Sequence, residues 1–467
     1  MRYSMNKGLA FVLMVLATSF TSTLLGLSMR EVIALTAFLA IVYGTLLFWR
    51  FRLAFGLLGI TVLLAAGLID TPTLIEFAGV DIILFLMGMM IVIGFLEERH
   101  FFEYIIDKIV EMVGPRGYRL VTVMMILSAL FAALVDEVTS ILFMAATMIH
   151  LTVKLKLNPI PFVVMLIFAT NIGSSATVVG NPVGVMVALR GGLTFMDFLR
   201  WATPISILAL AILIPLSIYY FSGDIRRLDE RLKLEVKEDK KITEGRGVTS
   251  GKELTISAIL FLGTITFLIL HSFIEEALHL EKNTMLLGTA LGAASIALLI
   301  EHEKAKELVE RRVDWWTLTF FMMLFAKVGT LSYVGLTDRI ASGALSLGAI
   351  GGEFGILMNF TWIMGILSAL MDNILAVAIS VPIIHELGAL GVYIFPFWWA
   401  GLFSSTFFGN LTMIGSTANI VAIGMIERRK LGHVTMGYWI KPGILVSIPT
   451  LLLAILLLYI QYPIMPR

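Results

Sequence analysis

The sequence predicts an all-α polytopic membrane protein of about eleven transmembrane helices and two re-entrant helical hairpins, arranged as two inverted repeats. Three observations predict it. Hydrophobic residues make up 58% of the 467 residues and charged ones only 14%, in apolar stretches that recur from end to end, which a soluble domain would not need. Two apolar runs, 120–153 and 354–384, carry acids only near their centres, Asp136-Glu137 and Asp372. The same order of segments then occurs twice along the chain. An outer-membrane barrel would instead show short alternating strands.

Taken in order, the basic start and apolar run of 1–30 predict an extra first helix near 9–27, retained in preference to a cleaved signal peptide because no clear small-residue cleavage site follows. Spanning helices are expected near 31–49, 53–69, 80–97 and 202–221, then near 253–272, 283–300, 314–335 and 437–460, each long enough to cross ~30 Å of hydrocarbon at ~1.5 Å per residue. The hydrophilic segment 222–252 reads as a solvated linker between halves. The run around Asp136-Glu137 is too long for one crossing and too short for two. It is therefore expected to enter, turn near the midplane and return, as a hairpin over 117–155, and the second run likewise over 354–387. Behind each hairpin lies a long segment interrupted by small and polar residues, 159–190 and 393–425, expected to be a broken helix.

The two repeats, 31–221 and 253–460, each contain an odd number of crossings, so the second starts on the opposite face and the repeats are inverted. This topology assigns 27 of the 34 lysines and arginines to one face and six to the other, with Lys327 inside a helix. The positive-inside rule makes the first face cytoplasmic, with the N-terminus and the 222–252 loop, in the cell membrane.

Broken helices expose helix-end N–H and C=O groups and short polar side chains near the midplane, where inverted-repeat transporters bind ions and small solutes. The candidate binding residues are Asp136, Glu137, Thr139, Asn171, Ser174, Ser175, Thr177 and Asn181 from the first half, and Asp372, Asn373, Asn410, Thr412, Ser416 and Asn419 from the second. Taken singly, any Asn, Ser or Thr here serves close packing as readily as ligation; the carboxylates are costlier to place in a membrane and point more strongly to function. Lys327 is the candidate charge partner for an acid, with snorkelling as the alternative. These oxygens suit Na⁺ at the same residues, or protons on the acids; no structural metal site and no cofactor is expected. With no cysteine in the chain, disulfides and thiol chemistry are excluded.

The stretches FLEERHFFEYIIDKIV, LVDEVTSILFMAAT, FATNIGSSATVVGNPVGVMVA, VDWWTLTFFMMLF, ALMDNILAVAISVPII and GNLTMIGSTANIVAIG, in that order, resemble the ion transporter superfamily over about 31–460. The similarity is to its arsenical pump membrane protein (arsenite permease) and P-protein-like permease branch, related to sodium/proton antiporters and to divalent anion:sodium symporters. The resemblance implies an elevator-type fold, often a homodimer, coupled to H⁺ or Na⁺. Family members typically carry Asp-Asn at the first tip, where this chain has Asp136-Glu137, and two prolines where this chain has Gly180-Asn181-Pro182-Val183.

The expected function is a secondary transporter of a small inorganic ion or oxyanion, arsenite- or antimonite-permease-like. The alternative is a Na⁺/H⁺ antiporter. A dicarboxylate or citrate symporter is disfavoured by three acids without an arginine clamp, and an anion channel ranks behind a carrier. No nucleophile motif, histidine cluster or ATP-binding loop points to an enzyme, so energy would come from an ion gradient or an external ATPase subunit. The expected partners are the bilayer and the small solute, with no nucleic acid.

Overall fold

The computed structural model describes residues 2–237, 251–348 and 352–466, and among them every regular element is helical. This is what lipid requires, because a helix satisfies its backbone hydrogen bonds within itself. Ten of the described helices are long and apolar enough to cross a bilayer, or eleven if Trp315–Tyr333 and Leu336–Ser346, bent by 71°, are taken as one span. The chain is thus an all-α polytopic membrane protein. The linker positions 238–250 and Arg467, both used in the charge tally, lie outside the described residues.

One expected crossing is shorter than read. The 53–69 segment forms a helix over Arg52–Ala65, 14 residues or ~21 Å, and then breaks at Gly67 in the left-handed region (φ 64°). Asp70 restarts the chain by accepting the Thr73 N–H at 2.9 Å, with Pro72 in the first turn of Thr71–Phe77.

The linker also differs. Residues Ser222–Lys237 form a helix whose Ile225, Leu228 and Leu232 are buried against the start of the first hairpin. Gly117 permits the approach, since a Cβ there would lie 2.8 Å from the Asp229 backbone nitrogen. Its N–H donates to Asp229 Oδ1 at 2.9 Å. Helical spacing of the three apolar residues among charges is the signal for this docked, amphipathic start.

Each half repeats one sequence of elements. A span (Val80–Glu98; Trp315–Tyr333) leads to an amphipathic helix (Phe101–Val113; Leu336–Gly348). A helical hairpin follows (Gly117–Leu134 with Glu137–Lys154; Gly352–Leu370 with Asn373–Ala389). Then come an interrupted helix (Ile160–Gly173 with Pro182–Gly191; Phe395–Phe408 with Thr417–Arg428) and a long closing helix (Thr203–Tyr220; Met436–Gln461). The local devices repeat as well. The first arm of each hairpin packs on the first part of its own interrupted helix. Thr177 donates its hydroxyl to the Ala133 carbonyl, and Thr412 to that of Ala369 at 2.5 Å.

The elements sort into two packed groups. One contains Met29–Leu47, Arg52–Ala65, Val80–Glu98, Gly251–Leu278, Thr284–Glu301 and Trp315–Tyr333. The other contains both hairpins, both interrupted helices and both closing helices. The groups meet where Trp315–Tyr333 lies on Asn373–Ala389 and where Val80–Glu98 meets Pro182–Gly191.

Candidate functional site

The hairpin tips are built by their aspartates. Asp136 is the N-cap of the second arm, its Oδ1 accepting the N–H groups of Val138 at 2.7 Å and Thr139 at 2.8 Å. Asp372 does the same in the other half, accepting the Ile374 N–H at 3.0 Å, and its second oxygen accepts the Thr417 hydroxyl at 2.6 Å. An N-cap carboxylate satisfies N–H groups that the helix start leaves free and sits favourably at the positive end of the helix dipole. The residue after each cap, Glu137 and Asn373, then projects from the first turn.

Those two residues meet. Asn373 Nδ2 lies 3.4 Å from each oxygen of Glu137. The two interrupted helices add one hydroxyl each, Ser174 at 3.3 Å from Oε2 and Ser416 at 3.4 Å from Oε1. Both tips and both helix interruptions therefore converge on one carboxyl group that is 1% exposed.

Beside it, three carboxamides lock the halves together. Asn171 Nδ2 donates to Asn410 Oδ1 at 2.7 Å and to Asn419 Oδ1 at 2.8 Å. Asn410 donates to the Phe168 carbonyl (3.2 Å), and Asn419 to those of Gly409 and Thr412 (2.9 Å each). Asn171 Oδ1 accepts the Ser416 hydroxyl at 3.1 Å. The side-chain oxygens of this triad are occupied by protein donors, so the triad acts as a brace in this conformation. Asn181 is similarly engaged, capping Pro182–Gly191 through the Gly184 N–H (2.6 Å) and donating to Ser174 Oγ (2.8 Å).

Of the fourteen sequence candidates, Glu137, Asn373, Ser174 and Ser416 form the centre, with Asn171, Asn181, Asn410 and Asn419 packed around it. Asp136, Thr139, Thr177, Asp372 and Thr412 shape the two turns. Ser175 points elsewhere, bonding to Ser206 Oγ at 2.7 Å and to the Ile172 carbonyl at 2.8 Å.

Lys327 is not a charge partner of these acids. It is 1% exposed, and its ammonium donates to the Phe55 carbonyl at 3.0 Å in the space that Gly59 leaves by lacking a Cβ.

Two further residues were not singled out from the sequence. Thr417 follows Ser416 and holds Asp372. Arg52 is buried, bonds to Thr317 at 2.7 Å, lies over Trp49 and Phe320, and its charge bears on Asp372. Among the described residues no guanidinium or ammonium hydrogen-bonds to Glu137 or Asp372.

Two clefts separate the packed groups. A cavity of about 310 Å³ runs between Trp49 and Arg50 on one side and Asp372, Met413 and Glu427 on the other. A second, of about 420 Å³, contains Asp81, Arg190, Ser332, His385 and Glu386. In it Arg190 clamps Asp81 with two parallel bonds of 2.7 and 2.8 Å.

Residues 43–404 match the citrate transporter family, CitMHS. The chain belongs to the citrate transporter family. Among its relatives are an uncharacterized transporter of Mycobacterium tuberculosis, 31% identical over 392 residues that cover 82% of this chain and 86% of the relative, and the human P protein, 25% identical over 489 residues that cover 88% and 57%. The crystal structure of the Alcanivorax borkumensis YdaH transporter shares the fold with TM-score 0.56 at 14% identity, covering 85% of this chain and 90% of that one. This citrate transporter family member is thus a secondary transporter of the ion transporter superfamily, a multi-pass membrane protein.

Proposed function

We propose that this transporter moves a small inorganic ion or oxyanion, coupled to H⁺ or Na⁺, by sliding the hairpin group against the other helix group. The observation that carries the reading is the convergence of both tips and both helix interruptions on the buried Glu137. Half-helix ends at such a point provide the backbone dipoles that inverted-repeat transporters use for ions. The hairpins are read as re-entrant, because their tips touch each other. The group carrying them is read as the moving part, and the group around Met29–Leu47 and Gly251–Leu278 as the scaffold of a homodimer in the cell membrane. The distribution of lysine and arginine supports a cytoplasmic N-terminus, and that orientation opens the cleft beside Asp372 towards the cytoplasm.

For cargo, an arsenite-like neutral or weakly charged oxyacid is favoured. A Na⁺/H⁺ antiporter is the second reading, supported by three acids at the tips to which, among the described residues, no lysine or arginine hydrogen-bonds. Citrate, named by the family description, ranks behind both, because among the described residues no arginine or lysine donates to the site to clamp a carboxylate. The test is reconstitution into proteoliposomes with internal pH recorded after external pulses of Na⁺, arsenite or citrate. Transport abolished by Asn373→Ala for one of these names the cargo. A response to none of them, in vesicles shown to contain protein, refutes this choice of cargoes.

A further inference from the structure

The contacts of Glu137 are poor ones for an anion. A buried carboxylate is stabilised by short charge-assisted bonds of about 2.5–2.9 Å or by a paired cation. All four donor contacts at Glu137 measure 3.3–3.4 Å, and two come from a single NH₂ group straddling both oxygens. The two hydroxyls are shared with nearer acceptors: Ser174 with the Asn171 carbonyl at 3.0 Å, and Ser416 with Asn171 Oδ1 at 3.1 Å. A hydroxyl has one hydrogen, so Glu137 holds the weaker claim on each.

The charges that bear on Glu137 are Asp136 from its own tip and Asp372 from the opposite hairpin, both of the same sign. The interrupted helices contribute only Ser174 and Ser416 to it. Arg52, whose positive charge bears on Asp372, is tied to Thr317. Opposite the carboxyl, Asn373 is fully buried and its Oδ1 has no hydrogen-bond partner. A buried acceptor in that condition costs about 1–3 kcal/mol. A carboxyl O–H on Glu137 is the donor that would serve it, through a half-turn of the carboxamide that exchanges two atoms of nearly equal size.

We propose that Glu137 binds the coupling proton and that the Asn373 carboxamide registers it. This rests on the proposed reading of the chain as an ion-coupled transporter. The proton comes from water reaching the tips through the cleft. With it, Glu137 is neutral, donates to Asn373, and the two hairpins are joined tip to tip. Without it, a bare carboxylate faces Asp136 and Asp372 with long, shared donors, and the tips are driven apart. Glu137 is the binding residue here, and Asn373 the positioning residue.

Infrared difference spectroscopy of the purified full-length protein, titrated with acid in the absence of any cargo, tests the proposal. The expected result is a carboxyl C=O band that appears on acidification, is lost in Glu137→Gln and is kept in Asp136→Asn and Asp372→Asn. Asn373→Ala, which leaves Glu137 in place, should shift the frequency of that band by removing its acceptor. A purely structural role for Asn373 would leave the frequency unmoved. A band that survives in Glu137→Gln, no titrating band at all, or a band erased by Na⁺ at constant pH overturns the proposal. Because the measurement uses no cargo, failure of the transport reading shows separately, as a normal Glu137 band in a protein that moves no solute.

Discussion

The Arg190–Asp81 clamp ties the end of an interrupted helix to the start of Val80–Glu98, so it holds the hairpin group against the other group in the conformation described. Asp81→Asn removes one charge and leaves the volume unchanged. Both side chains are partly exposed, 33% for Arg190 and 41% for Asp81, so solvent screens the pair. A bidentate pair at that exposure is worth ~1 kcal/mol, the upper end for surface pairs. Since about 1.4 kcal/mol is a factor of ten, losing the clamp should raise the population of the separated state about fivefold. The chain has no cysteine, so a single cysteine at Ser332, inside the cleft, reports its opening without background. The rate at which a membrane-impermeant maleimide labels it should rise about fivefold in Asp81→Asn when opening is fast relative to labelling. The charge swap Asp81→Arg with Arg190→Asp should restore the slow rate, as expected of a direct pair. An unchanged rate in Asp81→Asn, or a swap as fast as the single variants, refutes the clamp.

Other outcomes follow from the same geometry. Asn171→Leu strands two fully buried oxygens, on Asn410 and Asn419, at about 1–3 kcal/mol each. It should lower the thermal unfolding midpoint in detergent by more than Asn373→Ala does, and equal midpoints would refute the brace. Gly443→Ala would place a Cβ 2.6 Å from the Leu411 carbonyl oxygen and 2.9 Å from that of Asn410, displacing the second interruption. Transport should be lost, and full activity would show that this approach is not needed. Asp229 is held below the ordinary carboxylate range by the Lys233 side chain and by the Gly117 N–H. Its contribution to docking Ser222–Lys237 is therefore complete above the unfolded value of about 3.9 and is lost as pH falls through the lowered folded value. Amide protection in 222–237, taken relative to the intrinsic exchange rate at each pH, should be high at neutral pH and lost in strong acid. Asp229→Asn should show the low protection already at pH 7, and protection that does not change with pH would remove Asp229 from the docking.

What the sequence made legible was whatever costs most to place in a lipid-facing chain. Acids at the centres of apolar runs marked both tips, because nothing but a turn or a site repays a carboxyl there, and both aspartates cap helices at those turns. The order of segments exposed the repeat because order survives where residue identity does not. The sequence could not say which polar atoms would be used up by one another. Asn171 and Asn410 are 239 positions apart, and only their meeting shows that they are braced while the Asn373 oxygen is left over. Nor could the sequence choose between pairing and snorkelling for Lys327, whose ammonium sits where Gly59, on a different helix, lacks a Cβ. The amphipathic helices Phe101–Val113, Ser222–Lys237 and Leu336–Gly348 fell below a search for crossings, although helical spacing marks them, as at Phe102, Ile106 and Val110. A hydrogen-bond inventory therefore separates the candidates where composition cannot. In a cluster of fourteen polar residues, those whose donors or acceptors the protein leaves unspent are the stronger candidates for function, and this is why the proposal falls on the pair that faces across the two tips, Glu137 and Asn373.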